Sequence, residues 1–428
     1  MSEWRTEPLE ECLEELLDYR GKSPPRSAKG IPVLSAKVVK TDGLLRPIEQ
    51  KIAPDYYAEW MVRGLPRSGD VVMTTEAPMG EVIQLDEETA TFALGQRIVC
   101  LRGKANKLDN TFLRYLLASP KQQEILASYA TGTTVLGISQ KALRSIPISF
   151  PKFEEQIPIA ELLGSLDDKI DLNRRMNKTL EAMARAIFKD WFVDFGPTRS
   201  KMNSHTGYLA PEIWLLFPDF FDRDGKPEGW KAGTLSDVAT LNPESWSYSN
   251  YPELVRYVDL SGTKWGSIDT IEIHSKASAP SRAQRILRSG DTIVGTVRPG
   301  NGSYAFVSED GLTGSTGFAV LRPKEVRYRE FLCLAATAAE NIERLAHLAD
   351  GGAYPAVRPN VVAESPVTIP AEPIMDAFHK VAEPMIDRWE ANKAENHTLA
   401  KLRDFLLPKL LSGEIRIQDA EKVVGEAV

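Results

Sequence analysis

An α+β fold with two tandem domains, each followed by a long helix, is what this sequence predicts. The two helices are expected to pair as an antiparallel coiled coil with pseudo-two-fold symmetry. Three features predict it: an internal repeat running about half the 428-residue chain, short β-branched runs punctuated by Gly, Pro, Asn and Asp, and a heptad seam after each copy.

The repeat comes first. Trp4-Arg5-Thr6-Glu7-Pro8-Leu9 recurs loosely as Trp230-Lys231-Ala232-Gly233-Thr234-Leu235, and Arg67-Ser68-Gly69-Asp70 recurs identically as Arg288-Ser289-Gly290-Asp291. Leu101-Arg102 returns as Leu321-Arg322, and Pro147-Ile148-x-x-Pro151 as Pro366-Val367-x-x-Pro370. The offset drifts only from 226 at Trp4/Trp230 to 219 at Pro151/Pro370, so insertions are few. Solenoid units are ~20–50 residues long, so a repeat of this size means two copies of a domain. Within each copy, VVMTT, RIVCL, DTIVGTV and GFAVL read as strands, with Gly-Asp before a strand marking a turn. Helices are expected at 9–17 and 110–129 in the first copy and near 329–349 in the second. The organisation predicted is a domain over 1–150, a helix over 151–193, a linker over 194–229, a domain over 230–370, a helix over 371–412 and a tail over 413–428.

The first seam runs Ile159, Leu163, Leu166, Ile170, Asn173, Asn177, Leu180, Ala184, Ile187 in alternating steps of four and three. The offset of 219 gives Phe378, Ala382, Met385, Trp389, Asn392, Asn396, Leu399, Arg403, Leu406, with Arg403 as its blemish. Asparagines in a seam are costly unless they find partners, so Asn173, Asn177, Asn392 and Asn396 are expected to fix the register of the pair. The amides alone suit a parallel pairing equally well. Antiparallel packing is favoured because a strand-rich domain separates the helices and the two globules then sit at opposite ends.

Composition bounds the rest. With 52 Lys plus Arg against 59 Asp plus Glu the net charge is −7, which argues at first against nucleic acid. The charge is unevenly placed. Residues 20–51 hold Arg20, Lys22, Arg26, Lys29, Lys37, Lys40, Arg46 and Lys51 against Asp42 and Glu49, and residues 276–298 hold five basic residues against Asp291. Such runs serve as solvated surface as readily as they serve phosphates. No apolar run reaches membrane-span length, the acidic amphipathic start is unlike a signal peptide, and three scattered cysteines suit a reducing cytoplasm. No membrane partner and no metal site are expected.

Catalytic motifs fail on inspection. Gly21-Lys22-Ser23 resembles the end of a phosphate-binding loop, but Leu16 stands where that loop needs its first Gly. Asn242-Pro243 opens like an adenine-methyltransferase motif, yet Glu244-Ser245 follows in place of a second Pro and an aromatic. Five unplaced histidines support no Ser-His-Asp arrangement. The aromatic runs 191–195 and 214–217 fit either partner docking or local packing of the linker, and packing is the expectation.

The chain resembles, over nearly its whole length, the specificity subunit of type I restriction-modification enzymes. The resemblance rests on the ordered set of the two Arg-Ser-Gly-Asp segments, Gly132-Thr133-Thr134 with Ile138-Ser139 before Ile146-Pro147-Ile148, and Pro151 through Gln156-Ile157. It continues in WFVDFGPTRSKM (191–202), FDRDGKPEGW (221–230) and LLPKLLSGEIRI (406–417). It implies two target-recognition domains, each reading half of a bipartite asymmetric sequence in double-stranded DNA, with the helix pair setting the spacer. It further implies no catalytic centre in this chain. The implied partners are two modification subunits, which carry S-adenosylmethionine and methylate adenine, and restriction subunits that cleave.

On that reading Arg20, Lys22, Arg26, Lys29, Lys40, Arg282 and Arg285 are candidates for phosphate contact, and Lys37, Arg298, Asn301 and Arg358 for base edges. A fused methyltransferase would need cofactor motifs that this sequence lacks. A structural adaptor spacing two protein-binding modules remains the alternative.

Overall fold

A computed structural model of the chain describes residues 4–19, 21, 23–41, 43–132, 134–203, 205, 207–247 and 249–427. It resolves into two compact units: Met1–Leu172 with Ala394–Val428, and Asn173–Lys393.

In the first unit, β1 (Arg5–Pro8) pairs antiparallel with β6 (Pro147–Phe150). A four-stranded antiparallel sheet follows the order β2 (Leu13–Asp18), β5 (Ile98–Gly103), β3 (Val71–Thr75), β4 (Met79–Gln84). Every residue of β3 and β5 is buried, because the sheet is covered on both faces. One face carries the core of Leu9, Val71, Leu101, Phe112 and Leu116, and the other a second core around Val33, Ile52, Ile83 and Leu94. A smaller sheet, Lys51–Ile52, Ile31–Leu34 and Ala93–Leu94, contributes to that second core.

The second unit repeats this plan. β7 (Lys231–Thr234) pairs with β12 (Pro366–Ile369), and a sheet runs in the order β8 (Ala239–Leu241), β11 (Phe318–Pro323), β9 (Thr292–Gly295), β10 (Tyr304–Phe306). Its accessory sheet has four strands, Glu272–Ser275, Leu254–Val258, Leu312–Ser315 and Ala283–Leu287. Each accessory sheet keeps one parallel pair, Val33/Ala93 in one unit and Arg256/Leu312 in the other. The framework is shared and the accessory layer differs.

The repeated tetrad has a physical reason. Asp70, 1% exposed, accepts the Arg67 N–H at 2.8 Å and a bidentate fork from Arg102, at 2.8 Å from Nε and 2.7 Å from Nη2. Asp291, also 1% exposed, accepts the Arg288 N–H at 2.8 Å and Arg322 at 2.8 and 2.9 Å. Gly69 and Gly290 sit at φ +88° and +91°, where a side chain is strained. The tetrad and the distant Leu-Arg dipeptide are therefore two ends of one buried ion pair. In the second unit Glu244 joins, bonded to Arg288 and Arg322, and these guanidiniums hold its carboxyl down at about 2.

Two long helices follow the copies: α1 (Phe153–Phe192) and α2 (Glu372–Ser412). Each contributes to both units, since α1 crosses from one to the other after Leu172 and α2 after Lys393. Within either unit the two helical segments run antiparallel, with Ile159, Leu163 and Leu166 in one core with Leu402, Leu406 and Leu410, and Ala184 and Phe188 in one core with Phe378 and Ala382.

Three local expectations are corrected. The helix over 9–17 ends at Cys12, and the chain enters β2 because no side chain caps the helix start and β5 offers a ladder. The helix over 110–129 breaks into Asn110–Ala118 and Pro120–Ser128. Ser119 is extended before Pro120, as proline demands of its predecessor, and its hydroxyl caps the second piece. The helix near 329–349 breaks likewise at Thr337–Ala338. The tail over 413–428 contains a helix, α3 (Ile417–Ala427), whose Ala420 is fully buried in the first unit's core.

Removing a partner from a buried ion pair strands a charge, so Asp70→Ala should cost about 3–5 kcal/mol in urea unfolding. Asp291→Ala should cost less, because Arg322 is more exposed and keeps Glu244. Equal losses, or none at Asp70, would show that the fork is dispensable.

Candidate nucleic-acid interface and helix seam

The seam is built as the heptads required through its middle. Asn177, 9% exposed, donates from Nδ2 to the Trp389 carbonyl at 3.1 Å, and its Oδ1 accepts from Asn392 Nδ2 at 2.8 Å. Both belong to the second unit, as does the fully buried Asn173, while Asn396 lies half-buried in the first. At three points a neighbour of the heptad position is the residue most buried. Phe188 is buried where Ile187 was expected, Ile386 in place of Met385, and Leu402 beside Arg403.

Arg403 is no blemish. Its Nη1 donates to Asp167 Oδ1 at 2.7 Å, and Asp167 Oδ2 accepts from Arg114 at 2.7 Å and the Tyr115 hydroxyl at 2.6 Å. Burial alone would raise Asp167, but the Arg114 charge, the Tyr115 hydroxyl and Arg403 together hold it below its ordinary value. This carboxylate, on α1, thus binds α2 and the helix Asn110–Ala118. Gln156, fully buried, fastens the start of α1: it accepts the Asp109 N–H at 2.9 Å and donates to the Lys107 and Pro151 carbonyls. No spacing signal in the sequence pointed to Asp167 or to the role of Gln156.

The basic candidates fall on the accessory layers and their loops. In the first unit Arg26 and Lys29 are exposed on a turn whose Ser27 hydroxyl bonds the Lys29 carbonyl. Lys37 is exposed, 3.4 Å from Glu49, and Lys40 is half-buried at the end of the strand Val39–Lys40. Arg20 and Lys22 lie outside the described residues. In the second unit Arg282 is exposed, while Arg285 is half-buried and bonds Ser245 Oγ at 3.1 Å. Burial lowers the Arg285 pKa, and only part of its guanidinium meets solvent.

Four residues of the second unit converge on one edge. Arg298 adopts φ +48°, its N–H donates to the Pro355 carbonyl, and its guanidinium bonds the Ala353 carbonyl at 2.6 Å while lying 4.6 Å over the Tyr354 ring. Asn301 is exposed at the end of the turn Pro299–Asn301, and Arg358 is exposed two residues after Ala356, which bridges to Val297. The first unit repeats the geometry with other side chains, Arg97 there pairing with Glu76 at 3.5 Å. Ala77 holds φ +55°, and Glu76 bridges to Gly137 as Val297 does to Ala356. The two edges therefore share a backbone and present different chemistry.

Two sequence features resolve as structure. Asn242, at φ +47°, accepts the Val320 N–H on Oδ1, so Asn242-Pro243 is a turn. Trp191, Phe192 and Phe217 are buried together with Trp230, so the linker aromatics pack locally. Among the described residues no cluster of acidic, His and Cys side chains is arranged to hold a metal, and no helix is long and apolar enough to cross a membrane. The cysteines are buried, which pushes Cys12 and Cys333 up to about 11 and Cys100 well above its ordinary value.

Two measurements check the seam. Asn177→Ala takes away the acceptor of a buried amide and should cost about 1–3 kcal/mol, with the Asn177→Leu/Asn392→Leu pair costing less than the two single changes summed. Additive losses in a double-mutant cycle would exclude the amide pair. For Asp167, whose folded pKa is depressed, the stabilisation is present above its ordinary 3.8 and is lost as pH falls below it. Asp167→Asn should therefore flatten the acid limb of urea stability against pH, and an unchanged limb would exclude the hub.

Comparison with known proteins agrees with this geometry. Residues 13–182 match the family described as the type I restriction modification DNA specificity domain. The MjaIX specificity subunit of Methanocaldococcus jannaschii is 23% identical over 87% of this chain and 83% of its own. The HindI specificity subunit of Haemophilus influenzae is 25% identical over 82% and 87%. The fold is similar to the crystal structure of a type I restriction-modification S subunit from M. genitalium, with a TM-score of 0.56, 16% identity and 96% of each chain covered. With its doubled framework and helix pair, the chain carries a type I restriction modification DNA specificity domain over residues 13–182 and is similar over most of its length to the specificity subunits of type I restriction enzymes.

Proposed function

We propose that the two units read the two unlike halves of a bipartite duplex-DNA target, and that α1 and α2 set the spacer between those halves. The observation that carries this reading is the repetition of one framework with different edges: Arg298, Asn301 and Tyr354 on one copy, Glu76 and Ala77 on the other. A repeated protein suits a repeated ligand, and unlike edges suit unlike base sequences. Arg26, Lys29, Lys37 and Lys40 serve the first half-site, and Arg282, Arg298, Asn301 and Arg358 the second. The chain itself is non-catalytic. Two modification subunits with S-adenosylmethionine methylate adenine, restriction subunits cleave, and the modification subunits dock on the helix pair and adjoining surfaces.

Deleting four residues from each long helix removes about 6 Å of rise, or about two base pairs of duplex. The methylation pattern of DNA modified by the assembled complex should then show a shorter spacer with both half-sites intact, and a changed half-site refutes the ruler. Neutralising Arg26 and Lys29 should lower the salt slope of duplex binding by about one each. A chain with no salt-dependent duplex affinity would favour the alternative, an adaptor spacing two protein-binding modules.

A further inference from the structure

One exposed aromatic of the second unit is held where the backbone resists holding it. The strands Thr263–Lys264 and Ser267–Ile268 form a hairpin with two residues at its tip, Trp265 at φ +46° and Gly266 at φ +86°. A two-residue turn with both φ values positive favours Asn-Gly or Asp-Gly, because a bulky side chain is strained there. Trp265 takes the first position with 61% of its surface exposed, so little burial offsets the strain.

The tip is fixed from several sides. The Trp265 N–H donates to the Gly302 carbonyl at 2.7 Å, and the Gly266 N–H to the Tyr304 carbonyl at 2.9 Å. Lys264 Nζ donates to Ser303 Oγ at 2.9 Å, and Lys393 Nζ on α2 to the Gly266 carbonyl at 2.6 Å. The indole lies against Gly302, where an added Cβ would stand 2.5 Å from its Cδ2, and it meets Tyr304 edge to face with ring centroids 6.0 Å apart. Gly302 directly follows the turn Pro299–Asn301. The ring therefore rests on the residue next to Asn301, on the edge that also carries Arg298 over the exposed Tyr354.

The first unit builds the same hairpin and finishes it differently. Val39–Lys40 and Gly43–Leu44 pair in the same register, and the residue after the first strand is Thr41. Its N–H and hydroxyl both donate to Glu81, at 2.6 and 2.7 Å. Glu81 precedes Val82 as Ser303 precedes Tyr304, and Val82 and Tyr304 are the strand partners of Met73 and Val294. The framework thus asks for a polar tie at this place and does not ask for an indole.

We infer that Trp265 stacks its exposed face on a base of the second half-site, an apolar contact beside the polar ones of Arg298 and Asn301. This rests on the reading of duplex DNA proposed above. In a duplex a base face becomes available where a step is opened, as apolar wedges open it, and every base offers such a face. A ring already fixed by its hairpin loses little freedom on making the contact.

The test uses the complex of the full chain with its modification subunits and a duplex carrying the target mapped by its methylation. Trp265→Ala should weaken binding about tenfold with the salt slope unchanged, because no phosphate contact is lost. Trp265→Phe keeps a stacking face and should bind within about threefold of the parent. Trp265→Asn, the residue this turn favours, should weaken binding as Ala does while keeping or raising the urea midpoint of unfolding. A lowered midpoint in Trp265→Asn would make the indole a support of the hairpin and overturn the assignment, as would a loss in Trp265→Phe equal to that in Trp265→Ala. Normal duplex binding by Trp265→Ala with less modification subunit retained would assign the ring to a protein interface and overturn it too. A parent complex without salt-dependent affinity for the mapped duplex sinks the reading of the two units. A parent that binds, with Trp265→Ala binding equally well, sinks the stacking contact alone.

Discussion

The bidentate fork between a buried aspartate and an arginine on the neighbouring strand is the constraint around which each unit is assembled. Asp70 opens β3 and Arg102 lies on β5, while Asp291 and Arg322 do the same for β9 and β11. A carboxylate almost wholly removed from water is tolerable only if its oxygens are filled, and here a backbone N–H and a guanidinium fork fill them. The demand fixes the turn, hence the glycine before the aspartate. It also fixes the register of the two central strands, and with it which face of the sheet meets the helices.

On that frame, the helix pair joins by two kinds of contact. Apolar seam residues supply burial without fixing register, since Leu, Ile and Phe tolerate sliding. Register comes from polar groups with one acceptable partner: Asn177 with Asn392, Asp167 with Arg403, Arg114 and Tyr115, and Gln156 with the Lys107 and Pro151 carbonyls. The polar pairs therefore hold the two helices in one register.

The two copies differ in what the frame does not constrain. The accessory sheets differ between copies in strand number, and the paired edges share a left-handed residue, Ala77 or Arg298, while differing in side chain. The left-handed conformation is a backbone requirement of the fold, and an arginine there accepts some strain to place its guanidinium over Tyr354.

By itself the sequence determined the doubling, the central strands and the seam, because each is carried by residues whose chemistry permits few alternatives: Gly-Asp turns, β-branched runs, asparagines at heptad positions. It also displayed both halves of the buried fork, as the tetrad and the Leu-Arg dipeptide, without showing that they touch. Only the tertiary structure decided that, since Asp70 and Arg102 are brought together by strand pairing. It also decided the turn of the chain from helix into β2 at Leu13, where sheet pairing outweighs local helical preference, and it paired Arg403 with Asp167. The division of each long helix between two units belongs to it too, because a helix has the same local code along its length and only its neighbours tell the halves apart.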